Sequence, residues 1–135
     1  MRNIVLDTNC LLSCLAAKSK FHAVWNAFLN EDFCLCLSNE IMNEYEEILA
    51  KKTSPVFSDI IINVILNSEN VVFVHPAFRF NLIASDPDDN KFVDCAIVAN
   101  ADYIVSQDAH FDILKTIDFP KVNVIRIEEF VKELY

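Results

Sequence analysis

The chain has 135 residues, no glycine, 53% hydrophobic residues and a formal net charge of −9, with 20 acidic against 11 basic side chains. That length fits a single domain over residues 1–135 that buries about two thirds of its unfolded surface, and the missing glycines exclude the phosphate-binding P-loop, the dinucleotide fingerprint and the serine-hydrolase elbow. Mean hydropathy is high at +0.27, yet no run of about 18 uncharged apolar residues is present to span a membrane.

The opening MRNIVLDTN lacks the basic, apolar and small-residue succession of a signal peptide, so a cytoplasmic location is expected. Residues 4–6 read as a buried strand that ends at Asp7, and Asp7-Thr8-Asn9 is capping chemistry for a helix to about residue 17. Phe21, Val24, Trp25, Phe28 and Leu29 have the three-and-four spacing of an amphipathic helix. Residues 33–37 predict a second strand, and Ser38 the N-cap of a helix to about residue 52 that carries Glu44. Pro55 opens another helix to about residue 66, whose Val/Ile run predicts burial on more than one side. A third strand over 71–74 is followed by an irregular stretch, 75–87, that feeds a helix over 89–100 capped by Asp88 or Asp89. Strand 103–106, a short helix over 109–116, strand 122–127 and a helix from about residue 128 complete the series. Alternation of this kind predicts a three-layer α/β/α sandwich around a central, mostly parallel sheet.

Carboxylates at the ends of parallel strands face the ligand crevice of such a sheet. Asp7 and Asp108 each close an apolar strand, and Asp94 lies in FVDCAIVA, a nearly apolar helical segment where a carboxylate is costly unless paired or coordinated. Glu44 shares a helix face with Glu40 and Glu47 and on its own reads as solvated charge. Asp7 and Asp108 each have a second reading as helix caps. Four acids aimed at one point repel one another unless they take up protons or bind cations, and hard oxygen donors suit Mg²⁺ or Mn²⁺ better than zinc. Asp89 and Asp112 are reserves, the first as a cap or a ligand through water, the second as a partner of Asp108 in a second ion site.

Five cysteines, an odd number scattered through apolar segments, predict reduced core thiols. Cys34 and Cys36 share a strand face but lack a second ligand pair for zinc, and Cys10 and Cys14 share a helix face. His22, His75 and His110 fall in no triad-like pattern, and His110 reads as a surface residue. Lys18, Lys20, Lys51, Lys52 and Lys91 form either a basic rim around the acids or, taken singly, solvated surface charges. The net charge runs against a nucleic-acid enzyme, whose phosphate contacts come from Lys and Arg, but divalent cations would offset part of it.

The order Asp7-Thr8-Asn9, Glu44, Asp94-x-x-Ile97-x-Ala99 and Ala101-Asp102-Tyr103-Ile104-Val105-Ser106-x-Asp108 resembles the PIN domain over nearly the whole chain. It looks most like the VapC-like branch described as the toxin half of a toxin–antitoxin pair. The resemblance implies a five-stranded parallel sheet and a metal-dependent ribonuclease cutting single-stranded RNA. Its catalytic and metal-binding acids would be Asp7, Glu44, Asp94 and Asp108, holding one or two Mg²⁺ or Mn²⁺ ions. Thr8, Asn9, Asp89, Ser106 and Asp112 would support them. RNA as substrate and an antitoxin protein are the partners it implies; independently, the apolar Phe21/Val24/Phe28 face reads either as a homodimer surface or as core packing. Relatives carry glycine at the positions of Asn100 and Gln107. Asn tolerates the left-handed conformation and Gln does so poorly, which predicts a differently shaped loop around Asp108.

A PIN-like module that binds RNA or protein without cutting is the alternative that the acidic balance favours. A phosphatase of the aspartyl-nucleophile type is a third reading, although such enzymes want a second Asp where this chain has Asn9.

Overall fold

The alternation read from the sequence is present in the computed structural model, which describes residues 1–134. The central strand β1 (Arg2–Leu6) is the most apolar at its carboxyl end, where Ile4, Val5 and Leu6 lose nearly all contact with water. Burial on both faces is what a strand in the middle of a parallel sheet requires. β1 pairs in parallel with β2 (Phe33–Leu37) on one side and with β4 (Tyr103–Val105) on the other. β3 (Val71–Phe73) and β5 (Val124–Ile125) close the edges, giving the order β3-β2-β1-β4-β5 with every pairing parallel. The fold is an α/β/α sandwich around this five-stranded sheet. Its order reverses at β1, and the crevice beside such a switch point, at the carboxyl ends of β1 and β4, is where ligands are expected.

Helices α1 (Thr8–Leu15) and α2 (His22–Leu29) join β1 to β2, α3 (Asn39–Lys52) and α4 (Pro55–Leu66) join β2 to β3, and α5 (Asn90–Ala99) leads into β4. A 3₁₀ segment, Ala109–Thr116, and α6 (Ile127–Glu133) flank β5. Caps set several starts. The side chains of Asp7, Ser38 and Ser54 accept hydrogen bonds from the backbone amides of Cys10, Ile41 and Phe57, satisfying donors that a helix start leaves free.

The structure departs from the sequence reading at several places. α4 buries one face only, Ser58, Ile61, Ile62 and Ile65, while Val56, Ile60 and Leu66 are more than half exposed. The Phe21/Val24/Phe28 face is no free dimer surface, because Val24 and Phe28 lie in the core. The last strand shrinks to two residues, and 109–116 winds as a 3₁₀ helix instead of an α-helix. A 3₁₀ turn, Pro87–Asp89, precedes α5, and its capping side chain is that of Asp86, not Asp88 or Asp89.

Without glycine, left-handed backbone falls on other residues. Positive φ occurs at Glu31, Asn81 and Asn100 among the described residues. Asn100 (φ 52°, ψ 49°) ends α5 in the left-handed conformation that glycine usually supplies. Gln107 has no positive φ, so the strain expected of it does not arise; its side-chain amide instead donates to Glu128 at 2.8 Å.

Candidate active site

Register places the first two elements of the site. Leu6 lies opposite Val105, and the Asp7 amide donates to the Val105 carbonyl at 3.1 Å, so Asp7 and Ser106 leave neighbouring central strands side by side. The Ser106 hydroxyl donates to Asp7 Oδ2, while Asp7 Oδ1 accepts from the Cys10 amide at 2.7 Å. Asp7 is therefore a helix cap and a cleft residue at once, with one oxygen serving each role. Burial pushes its carboxyl above the usual range, against the hydrogen bonds from Ser106 and Cys10 that favour the charged form, and Asp108 adds repulsion.

Ser106 also accepts from the Asp108 amide at 2.9 Å, which ties the loop after β4 to the end of β1. Asp108 Oδ1 in turn caps the 3₁₀ segment through the His110 amide at 2.8 Å. Glu44, in the second turn of α3, faces the same cleft, where the Thr8 hydroxyl donates to Oε2 and Lys91 Nζ lies 2.8 Å from Oε1. Asp7, Thr8, Asn9, Glu44, Ile48, Lys52, Asp89, Phe92 and Asp108 line a cleft of about 190 Å³. A larger hollow of about 600 Å³, lined in part by Arg2, Asp32, Asp102 and Glu133, lies at the opposite, amino-terminal ends of the strands.

Asp94 is not brought to this cleft. It is buried one turn further along α5, where its Oδ1 accepts from the Phe80 amide at 3.2 Å and its charged neighbours are Arg79 and Glu40. The sequence was right that a carboxylate in FVDCAIVA needs a partner, but the partner is the backbone of the 75–86 loop. Asp89 takes the third place on the cleft wall. Its carboxyl is pushed up to about 6, by burial first and then by the nearby charges of Asp86 and Asp108. Asp112 lies away from the cleft, held by Arg126 at 3.1 and 3.2 Å and by Lys115 at 3.6 Å, so it does not join Asp108 in a second ion site.

His110 is exposed, as the sequence reading has it, and it meets the acids of the cleft wall. Its Nδ1 lies 3.1 Å from Asp108 Oδ1 and 3.2 Å from one oxygen each of Asp86 and Asp89. Asp108 foremost holds the imidazole above its ordinary value. The contact with Asp108 is local, two residues away, while those with Asp86 and Asp89 join loops far apart in sequence. Of the other groups, burial pushes the thiols of Cys14, Cys36 and Cys95 up to about 12, as expected of inert core residues.

Asp7, Glu44, Asp89 and Asp108 are hard oxygen donors, and Asp7 and Asp89 hold protons more tightly than free carboxyls do. Burial is the first cause in both and repulsion between neighbouring carboxylates adds to it, and an oxygen set of this kind suits a divalent cation. One consequence is testable on the metal-free protein. A carboxyl raised from an ordinary 3.8 to about 6 adds stability below its unfolded pKa and loses it as pH rises through about 6. Asp89 faces Asp86, Asp108 and His110, and the raised His110 works in the same direction. The unfolding temperature is expected to fall between about pH 4 and pH 7, less steeply in Asp89→Asn. Equal slopes in the two proteins would refute that assignment.

An open parallel sheet with carboxylates gathered at its central strand ends defines an α/β protein with an acidic cleft. The chain belongs to the PIN domain family, whose model matches residues 3–110. No curated protein matches it significantly. Solved structures share the fold. VapBC2 from Rickettsia felis, bound to a DNA fragment from its promoter, superposes with a TM-score of 0.64 at 13% identity, over 92% of this chain and 98% of that one. DNA-bound VapBC from Salmonella typhimurium gives 0.62 at 18% identity, over 94% and 99%. VapC20 from Mycobacterium tuberculosis, described as a sarcin-ricin loop cleaving toxin, gives 0.59 at 14% identity, over 88% and 98%.

Proposed function

We propose that this PIN domain is a metal-dependent ribonuclease that hydrolyses phosphodiester bonds in single-stranded RNA and acts as the toxin of a toxin–antitoxin pair. The observation that carries the reading is the meeting of Asp7, Glu44, Asp89 and Asp108 in one cleft at the carboxyl ends of the central strands. These residues would hold Mg²⁺ or Mn²⁺, and the bound ion would activate water and stabilise charge on the phosphate and the departing oxygen. The chain's own groups orient that chemistry: Ser106 fixes the Asp7 carboxylate, and the Thr8 hydroxyl fixes Glu44. The toxin role, with an antitoxin partner and a homodimer, is supported by likeness to VapBC assemblies and to a toxin that cleaves the sarcin-ricin loop. No described helix is long and apolar enough to cross a membrane, in keeping with action on RNA in the cytoplasm.

The test is cleavage of end-labelled single-stranded RNA with Mn²⁺, with Mg²⁺ and with EDTA, by the wild type and by Asp7→Asn. Asn keeps the cap to the Cys10 amide, so the variant is expected to fold. Cutting by the metal-loaded wild type alone is expected. RNA binding with no metal-dependent cutting would instead favour a non-catalytic module.

A further inference from the structure

Lys91 is placed where a lysine is least at ease. It is the second residue of α5, in a first turn whose free amides already carry partial positive charge. Its side chain is only 13% exposed, although a lysine at this position reads from sequence as a solvated surface charge. What holds it there is Glu44, 2.8 Å away on α3. The second Glu44 oxygen is engaged by the Thr8 hydroxyl, so both oxygens have donors from the chain itself.

Charge is distributed unevenly across the cleft as a result. On one side, among the described residues, Asp7, Asp89 and Asp108 have no lysine or arginine ion-pair partner, and His110 alone faces Asp89 and Asp108. On the other side an ammonium already faces Glu44. The adjoining groove, about 480 Å³, repeats the pattern, since Lys91 is the cation on a wall that also carries Glu40, Glu44, Glu47 and Asp88. An ammonium 2.8 Å from a carboxylate occupies the approach that a metal ion would otherwise take, and its charge repels a divalent ion nearby.

We propose that Lys91 is the resident cation of Glu44: it neutralises that carboxylate from α5 and stands in for a second divalent ion, so that the four acids of the cleft hold one ion. This rests on the metal-site half of the proposed function and fixes its ion count. Lys91 is a positioning residue, acting through Glu44.

The test is calorimetric titration of the whole protein with Mn²⁺ alone, RNA absent, for wild type, Lys91→Met, Lys91→Gln and Lys91→Arg, each checked by thermal unfolding. The wild type and Lys91→Arg are expected to saturate at one ion per chain, and the two neutral variants at two. Two ions in the wild type would overturn the proposal, as would an unchanged stoichiometry in a folded neutral variant. Absence of Mn²⁺ binding in every protein would overturn it as well. Should neither neutral variant fold, the wild-type stoichiometry decides. The ribonuclease reading fails differently, through Mn²⁺ binding in this pattern with no cleavage of RNA.

Discussion

Asp89→Asn is expected to lower metal-dependent RNA cleavage by about a thousandfold or more, and Asp94→Asn to leave it within about threefold of wild type. The two residues stand five positions apart, and sequence alone favours the second. In the structure Asp89 is on the cleft wall with Asp7, Glu44 and Asp108, whereas Asp94 answers to the Phe80 amide. Asn at 89 removes a charge from a crowded site and relieves repulsion with Asp86 and Asp108, so the fold is expected to persist without metal. Asn at 94 retains an oxygen for the Phe80 amide, so the 75–86 loop stays anchored. Single-turnover cleavage of labelled RNA, with circular dichroism to confirm folding, measures both. A folded Asp94→Asn protein as inactive as Asp89→Asn would show that the cleft residues have been misassigned.

Phe33→Ala is expected to cost about 3–5 kcal/mol of folding stability, a large share of the total for a domain of this size. Phe33 begins β2 and is almost fully buried, with Phe28 at 6.1 Å and Phe130 edge-on at 5.3 Å between ring centroids. It links α2, the sheet and α6, so its loss leaves a cavity that three elements would have to close. Its position at the amino-terminal end of the sheet, away from the acidic cleft, means that Mn²⁺ binding per folded molecule is expected to hold. Urea unfolding measures the first effect and titration of the folded fraction the second. A loss below about 1 kcal/mol would mean that the aromatic cluster is not structural in the way the packing implies.

The order of strands and helices was legible because each strand is a short apolar run followed by capping chemistry, as at Asp7 and Ser38. Asp7, Glu44 and Asp108 were legible as candidates because strand ends and a helix face locate them before any packing is known. Asp94 was overvalued because burial in an apolar helix says that a carboxylate has a partner without saying which. The pairing of Asp89 with His110 was not legible because it is tertiary: the 3₁₀ turn before α5 meets the loop after β4 only once the sheet has formed. The Val/Ile run of α4 misled in the same way, since composition announces apolar surface and not whether other elements cover it.

The cleft has one firm jaw and one sprung one. Asp7 and Glu44 stand on β1 and α3, their oxygens pinned by the Cys10 amide, Ser106, Thr8 and Lys91. Asp89 ends a three-residue 3₁₀ turn and Asp108 caps the 3₁₀ segment Ala109–Thr116, whose hydrogen-bond geometry is poorer than that of an α-helix, and His110 bridges them. A change of ionic radius between Mg²⁺ and Mn²⁺ would therefore be taken up as movement of residues 86–90 and 106–110, with β1 and α3 left in place. Were the cleft to take a metal, selection between ions would be a matter of mechanical compliance: the stiffness of two 3₁₀ segments and one imidazole would set how far that jaw travels.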